Sequence, residues 1–309
     1  MNGVCQFDNA ISRLSDRVYK TLYNIDKSIK ETVIEVRLRL GQPLQIIGEF
    51  GMYFVRGDSS VTSDYKSCEY RPSKTDITES LNKICDYSIH THLEEIQKGF
   101  VTIKGGHRVG ICGTAVVKDD KLYNIRNVSS LNLRIAHEII DSSKLIPENI
   151  IFSNNSLIVA GAPSSGKTTI LRDLTRRLSQ KGQKIAVVDE RFEIASVYEG
   201  ETSNDLGPSC DVLSGYPKIE GIITATRTLS PDIIICDEIG DIKETDAILE
   251  GFNSGVRFIV SIHSDSFKSL KNKPQFLKLC NSGQFDYAVI LSNKINVRKA
   301  EVINLKEQS

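Results

Sequence analysis

The second half of the chain alternates short apolar runs with stretches whose apolar residues recur at helical spacing. Uninterrupted β-branched runs such as 232–236 are typical of strands that a parallel sheet buries on both faces. Helical spacing is clearest where Ile170, Leu174 and Leu178 fall on one face. The alternation over 149–309 therefore predicts a doubly wound α/β sheet that ends in an antiparallel strand pair. Strands are expected near 157–161, 185–189, 221–226, 232–237, 257–262, 286–291 and 300–305, and helices at 167–181, 242–254 and 266–281.

The first half has a different pattern, in which alternating strands are mixed with short helices. It predicts an α+β N-terminal domain over 1–148, smaller than the α/β domain over 149–309 and without a phosphate loop. The expected helices are 11–25, 75–84 and 93–97, and the expected strands are 35–40, 44–47, 52–55, 100–103, 108–113 and 115–117.

A complete G-x-x-x-x-G-K-[ST] sequence connects the first apolar run of the second half to its helix. Glycines allow backbone N–H groups to converge on one anion, and the helix that follows adds the positive end of its dipole. Lys167 would reach the β- and γ-phosphates of ATP, and the Thr168 hydroxyl would bind Mg²⁺. A chance glycine-rich turn is the alternative, but the flanking strand and helix favour a nucleotide site. The predicted nucleotide-binding residues are Gly161, Ala162, Pro163, Ser164, Ser165, Gly166, Lys167, Thr168 and Thr169.

Polar residues follow three further predicted strands of the second half. Asp237 and Glu238 end one strand, Asp189 and Glu190 end another, and His263 ends a third. If these strands are parallel neighbours of the strand before the phosphate loop, their ends form one polar rim. Asp237 would then hold Mg²⁺, and Glu238 would orient or deprotonate the attacking water. The alternatives are that the two acids cap the next helix and that the histidine is an ordinary loop residue.

Composition indicates which kinds of partner and which cellular compartment to expect. Formal net charge is zero and tryptophan is absent, so direct binding to nucleic acid is not expected. The seven cysteines include no C-x-x-C pair, which argues against disulfides or zinc and favours a reducing cytoplasm. No apolar stretch approaches about 20 residues, so we expect membrane association to be peripheral and through a partner.

Four longer strings carry further information: KGFVTIKGGHRVGICG (98–113), IRNVSSLNLRIA (125–136), VVDERFEIA (187–195) and SPDIIICDEIG (230–240). Together they resemble the stage III sporulation protein AA family. That family is similar to the traffic ATPases of type II and type IV secretion and of pilus assembly. The resemblance implies a RecA-like motor domain, a probably hexameric ring, and membrane-embedded sporulation channel proteins as partners. It also implies that the motor energises a channel between mother cell and forespore during endospore formation.

Residue roles in those ATPases can be matched to positions of this chain. Glu238 matches their catalytic glutamate, and His263 matches their histidine box. The acidic box after their second strand corresponds to Asp189, Glu190 and Glu193, which makes Asp189 a further predicted Mg²⁺ ligand. Many of these enzymes have glycine where this chain has Asp237, a departure that leaves the role of Asp237 open.

Three arginines match positions where related motors carry arginine. Arg227 precedes the predicted acidic strand, and Arg108 and Arg134 belong to the N-terminal domain. An arginine near the γ-phosphate can accelerate hydrolysis about 10³–10⁵-fold, although Arg108 and Arg134 could equally form structural salt bridges. The sequence thus predicts an ATP-hydrolysing motor. The alternatives are a nucleotide-gated scaffold with negligible turnover, a nucleic-acid-stimulated ATPase and a small-molecule kinase.

Overall fold

The computed structural model of the chain describes residues 3–97, 99–118, 120–137, 139–294 and 297–307. Their contacts separate two units, Met1–Glu138 and Ile139–Ser309. The domain boundary expected from the sequence, between 148 and 149, lies further along the chain and stays a prediction. No helix in the described ranges is both long and apolar enough to cross a bilayer.

A seven-stranded antiparallel sheet forms the first unit, in the order β4-β3-β2-β1-β7-β6-β5. Side chains alternate between its two faces, and the apolar face packs beneath the helices of this unit. The α+β character expected from the sequence is therefore observed. Its strands are β1 (Val33–Arg39), β2 (Gln45–Gly48), β3 (Gly51–Val55), β4 (Val61–Thr62), β5 (Phe100–Ile103), β6 (His107–Lys118) and β7 (Lys121–Arg134).

The helices of the first unit are short, and side-chain caps fix their starts. The helix expected over 11–25 is shorter in the structure, Asp16–Tyr23, because an earlier helix ends at Ile11 and Ser15 caps the new one. The helix expected from 75 begins at 74, where Ser73 and Asp76 form a capping box. The helices are α1 (Gly3–Ile11), α2 (Asp16–Tyr23), α3 (Lys27–Lys30), α4 (Lys74–Ile84) and α5 (Leu93–Gln97), with 3₁₀ turns at Tyr65–Ser67 and Ile89–His92.

Strands β6 and β7 form a long antiparallel hairpin. The two short strands expected at 108–113 and 115–117 are one continuous strand, with a register shift between Cys112 and Thr114. The segment 121–134 was not expected to be one long strand. Two residues of this part of the chain lie outside the described residues: Lys98, which belongs to the first resemblance string, and Asp119.

The second unit contains a seven-stranded sheet in the order β12-β9-β13-β14-β8-β15-β16. All neighbouring pairs are parallel except the last, β15 with β16, which is antiparallel as the sequence predicts. Strands β9, β13, β14 and β8 are adjacent, so their carboxyl ends form one edge. The strands are β8 (Leu157–Gly161), β9 (Ile185–Asp189), β10 (Val197–Tyr198), β11 (Glu201–Thr202), β12 (Cys210–Ser214), β13 (Ile233–Cys236), β14 (Arg257–His263), β15 (Tyr287–Lys294) and β16 (Val297–Asn304).

One predicted strand of the second unit is wrong. Residues 221–226 belong to an α-helix, whose residues Ile222 and Ala225 are buried three positions apart. β-branched residues suggested a strand, but the burial pattern has helical period. The sheet instead gains the edge strand β12, which the sequence did not indicate. The helix expected over 266–281 is two helices, because Pro274 begins a new one.

The helices of the second unit cover both faces of its sheet. They are α6 (Glu148–Ile151), α7 (Lys167–Gln180), α8 (Lys218–Thr228), α9 (Ile242–Asn253), α10 (Phe267–Leu270) and α11 (Pro274–Asn281). The buried residue Asp173 of α7 binds the segment before α6. Its carboxylate accepts hydrogen bonds from the Asp141 and Ser143 amides at 3.0 and 2.9 Å. Segment 139–151 therefore packs as part of the second unit.

Candidate functional site

The predicted phosphate loop joins the end of β8 to the start of α7. Gly166 caps α7 with φ +94°, a left-handed conformation that suits glycine. The N–H groups of the first turn of α7 have no partner in their own helix and, together with its dipole, attract an anion. The strand, loop and helix thus occur in the order that the motif requires.

Two details of the loop fit a bound phosphate. The Ser165 hydroxyl is buried and lacks a hydrogen-bond partner in the described part of the chain, which is costly unless a ligand or water supplies one. A Cβ on Gly161 would lie 2.2 Å from the Ser165 Oγ atom, so only glycine leaves room for this hydroxyl. The loop is therefore shaped around polar groups that point inward.

Lys167 is buried at the start of α7. Its Nζ atom donates to the Gly161 carbonyl at 2.9 Å and to the Ala162 carbonyl at 3.1 Å, and lies 3.5 Å from His263 Nδ1. Burial lowers the pKa of Lys167, while Asp237, Glu238 and other acids nearby oppose that shift. An anionic ligand would offset the cost of burying this charge, as a triphosphate would.

Asp237 follows β13 directly and contacts the phosphate loop. Its Oδ2 atom accepts a hydrogen bond from the Thr168 hydroxyl at 2.5 Å, and its other oxygen accepts one from Ser261. A hydroxyl and a carboxylate side by side are oxygen ligands of the kind that Mg²⁺ uses alongside phosphates and water. Helix capping does not explain Asp237 or Glu238, because Asp241 and Glu244 form the capping box of α9.

Glu238 stands next to Asp237 in a left-handed conformation, with φ +50°. Its amide donates to the Ser261 Oγ atom at 2.9 Å, and its carbonyl accepts from the Lys218 Nζ atom at 2.6 Å. Its carboxylate, about one-third exposed, forms an ion pair with Arg191. The main chain of the predicted catalytic glutamate is thus bound from both sides.

The acidic box lies at the end of the neighbouring strand β9. Both Asp189 oxygens accept backbone N–H groups, from Glu193 and Ala195 at 2.8 Å each. Asp189 therefore holds the loop after β9, and its role as a metal ligand stays a prediction. The exposed Glu190 carboxylate lies 3.6 Å from Lys218 Nζ. A small cleft brings Asp189, Glu190, Glu193, Lys218 and Asp237 together.

The structure does not bring Arg227 to this edge. It is exposed at the end of α8, whose first residue, Lys218, lies at the cleft. At 1.5 Å per residue, a helix places these two residues about 14 Å apart along its axis. Arg227 therefore lies towards the amino ends of the strands, away from the phosphate loop.

Arg108 and Arg134 belong to the first unit, where they are directly paired across β6 and β7. Glu35 of β1 pairs with Arg134 in turn, so Arg37 and Arg39 share the same face of the sheet. Arg37 forms an ion pair with Glu35, and the Arg108 guanidinium lies 5.3 Å from the Phe100 ring centroid. Among the described residues, this face therefore carries Arg108 and Arg134 beside Arg37, Arg39 and the Glu35 carboxylate.

Sequence reasoning missed three residues that contact the predicted site. Ser261 lies two positions before His263, so strand alternation could have placed it on the same side of β14. Lys218 and Arg191 carried no comparable signal, because each is brought to Glu238 by the fold of a separate segment.

Sequence comparisons with known proteins identify a family for this chain. The family model described as sporulation stage III, protein AA matches residues 7–306. Stage III sporulation protein AA of Bacillus subtilis (strain 168) is 36% identical over 267 residues, which cover 84% of this chain and 82% of that protein.

Solved structures show a similar fold at low sequence identity. The Legionella pneumophila ATPase DotB matches with a TM-score of 0.57 and 18% identity, over 89% of this chain and 78% of that one. The pilus retraction motor PilT with bound ADP matches with a TM-score of 0.59 and 16% identity, over 90% and 82%. The second unit is accordingly a RecA-like P-loop domain, preceded by an α+β domain. The chain belongs to the sporulation stage III protein AA family.

Proposed function

We propose that this protein is an ATP-hydrolysing motor that energises a channel or secretion complex between mother cell and forespore during endospore formation. One observation supports it most: Lys167, Thr168, Asp237 and His263 converge at one edge of the sheet, around a loop built for phosphate. The names of the relatives add support, since one is a sporulation protein and structural neighbours are an ATPase and a pilus motor.

In this proposal, the loop residues bind the triphosphate of ATP. Lys167 exchanges its two carbonyl partners for phosphate oxygens, and His263, adjacent to its ammonium group, responds to the γ-phosphate. Thr168 and Asp237 would hold Mg²⁺, which neutralises charge on the phosphates when it is bound. Glu238 orients or deprotonates the attacking water, and Glu190 supports the acidic edge.

The arginines would complete the site. Arg108 and Arg134 present positive charge from the N-terminal domain, which can stabilise charge developing on the γ-phosphate. Arg227 lies at the far end of α8, so its proposed role requires a neighbouring copy of the chain. We therefore include a ring, most simply a hexamer, that works in the cytoplasm and reaches the membrane through embedded sporulation channel proteins.

The test is ATP hydrolysis by the purified protein with Mg²⁺. Lys167→Ala and Glu238→Gln should each lower kcat by about 10²–10³, as removal of a group that stabilises a transition state does. Lys181→Ala, at the C-cap of the same helix, is the matched control and should retain wild-type activity. Turnover that survives both site substitutions would contradict the assignment.

A nucleotide-gated scaffold is the second candidate, and one contact favours it. Arg191 engages the Glu238 carboxylate, the group that hydrolysis requires. If this ion pair persists with nucleotide bound, the protein would bind ATP and turn over little of it. Single-turnover kinetics with excess protein separate the two functions: a motor converts bound ATP to ADP, whereas a scaffold releases it intact.

A further inference from the structure

Lys218 is a buried lysine within the acidic cleft, and only 6% of its surface is exposed. It is the first residue of α8, where the positive end of the helix dipole disfavours a cation. Burial adds a desolvation cost to that repulsion. A lysine in this position therefore needs specific anionic or carbonyl partners.

The partners of Lys218 come from three segments. Its Nζ atom lies 2.6 Å from the Glu238 carbonyl, 3.2 Å from Glu244 Oε1 and 3.6 Å from Glu190 Oε2. Glu244 belongs to the capping box of α9, and Glu190 to the acidic box after β9. One ammonium group thus joins the end of β9, the residue after Asp237 and the start of α9.

The Glu238 backbone has an unusual conformation that these contacts of Lys218 can stabilise. A φ of +50° is uncommon for a residue other than glycine, and it persists only where the surroundings enforce it. Ser261 binds the amide of this residue and Lys218 its carbonyl. Without the Lys218 bond, nothing in the described contacts would hold the carbonyl side of Glu238.

We propose that Lys218 is a positioning residue for hydrolysis: it fixes the main chain of Glu238 so that the carboxylate meets the attacking water. The inference rests on the proposed ATPase function, since Lys218 acts through Glu238. It predicts that loss of Lys218 impairs the chemical step and leaves ATP binding intact, because the phosphate loop contacts other residues.

The first measurement compares kcat and ATP affinity in Lys218→Met, which keeps an unbranched side chain one atom shorter and removes the ammonium group. A misplacement of about 1 Å can cost about 10²-fold in rate, so kcat should fall by about that factor. The Kd for a fluorescent ATP analogue should change less than about twofold. Lys243→Met, on the exposed side of α9, should change neither quantity.

A double-mutant cycle distinguishes positioning from general structural support. In the Glu238→Gln background, Lys218→Met should have almost no further effect on the single-turnover rate, because both changes disable the same group. If Lys218→Met lowers the rate by the same factor in both backgrounds, it does not act through Glu238 and the inference is overturned. An unchanged kcat in Lys218→Met would overturn it as well.

Two further outcomes are informative. If Lys218→Met does not fold, Lys218→Met combined with Glu244→Gln removes the nearest unpaired charge, and the amide oxygen can still accept the capping bonds. The same fall in kcat is expected there, and wild-type kcat would overturn the inference. If the wild-type protein binds ATP without turnover, the proposed function fails first and this inference with it.

Discussion

Replacing His107 should reduce the loss of stability that the N-terminal unit undergoes at acidic pH. The imidazole is buried on β6, and its Nδ1 atom accepts the Ala136 amide at 3.0 Å. Nε2 then carries the proton, and it has no partner in the described residues. Burial, with a smaller contribution from the charge of His137, lowers the pKa of His107 from 6.5 to about 4.

The direction of the pH effect follows from that shift. Between the two pKa values the unfolded chain binds a proton at His107 and the folded chain does not, so stability falls as pH falls. The full difference of pKa corresponds to about 3 kcal/mol, of which about 2 kcal/mol should be lost between about pH 7 and about pH 4.5.

Chemical denaturation of the N-terminal unit at those two pH values measures the effect. His107→Gln can keep an acceptor for the Ala136 amide but does not titrate, so its loss of stability should be smaller than that of the wild type by about 2 kcal/mol. His90→Gln, at an exposed position, is the matched control and should behave as the wild type does. Equal acid sensitivity of His107→Gln and wild type would show that His107 does not titrate in this range.

Two substitutions test the packing of the second unit. Asp173→Asn removes the buried charge that pairs with Arg176 and accepts hydrogen bonds from two backbone amides. The free energy of unfolding of this unit should fall by about 3–5 kcal/mol, and hydrogen exchange over 141–151 should become faster. Unchanged exchange there would contradict the role of Asp173 in holding this segment. Gly251→Ala would place a Cβ 2.5 Å from Phe258 Cζ and should cost about 1–3 kcal/mol by thermal denaturation, whereas Gly240→Ala, with nothing within 4 Å, should cost little. A loss of stability no larger in Gly251→Ala than in Gly240→Ala would refute the overpacking argument.

Much of the α/β fold of the second unit can be predicted from the sequence, because the signals for its strands and helices are local. Strands at 157–161 and 185–189 match the structure residue for residue, since each is a short apolar run with clear boundaries. The helix α8 was missed because its isoleucines and threonines favour strands, and only its burial against the sheet reveals helical period. β12 was missed because an edge strand with exposed positions lacks a continuous apolar run.

Residues of the candidate site also differ in whether the local sequence could predict them. The phosphate loop and Asp237 could be predicted, because a glycine pattern and an acid at a strand end carry their chemistry in the local sequence. Lys218 could not, since it begins a helix that was predicted as a strand and meets Glu238 only through the tertiary fold. The metal-ligand role that the resemblance implies for Asp189 stays a prediction, and no local pattern indicated that both of its carboxylate oxygens accept amides of the loop after β9.

The contacts of Asp237 connect the phosphate loop to Glu238, the proposed catalytic glutamate. Thr168 binds one oxygen of this carboxylate, and Ser261, which binds the other, also accepts the Glu238 amide. Any ligand that draws the Thr168 hydroxyl towards itself must alter the Asp237 carboxylate, and Ser261 passes that change to the strained Glu238 backbone. Lys218 binds the carbonyl of the same residue, so the Glu238 backbone is held between Ser261 and Lys218. In the proposed function, the hydrogen bonds that position Glu238 would therefore also connect it to the phosphate loop.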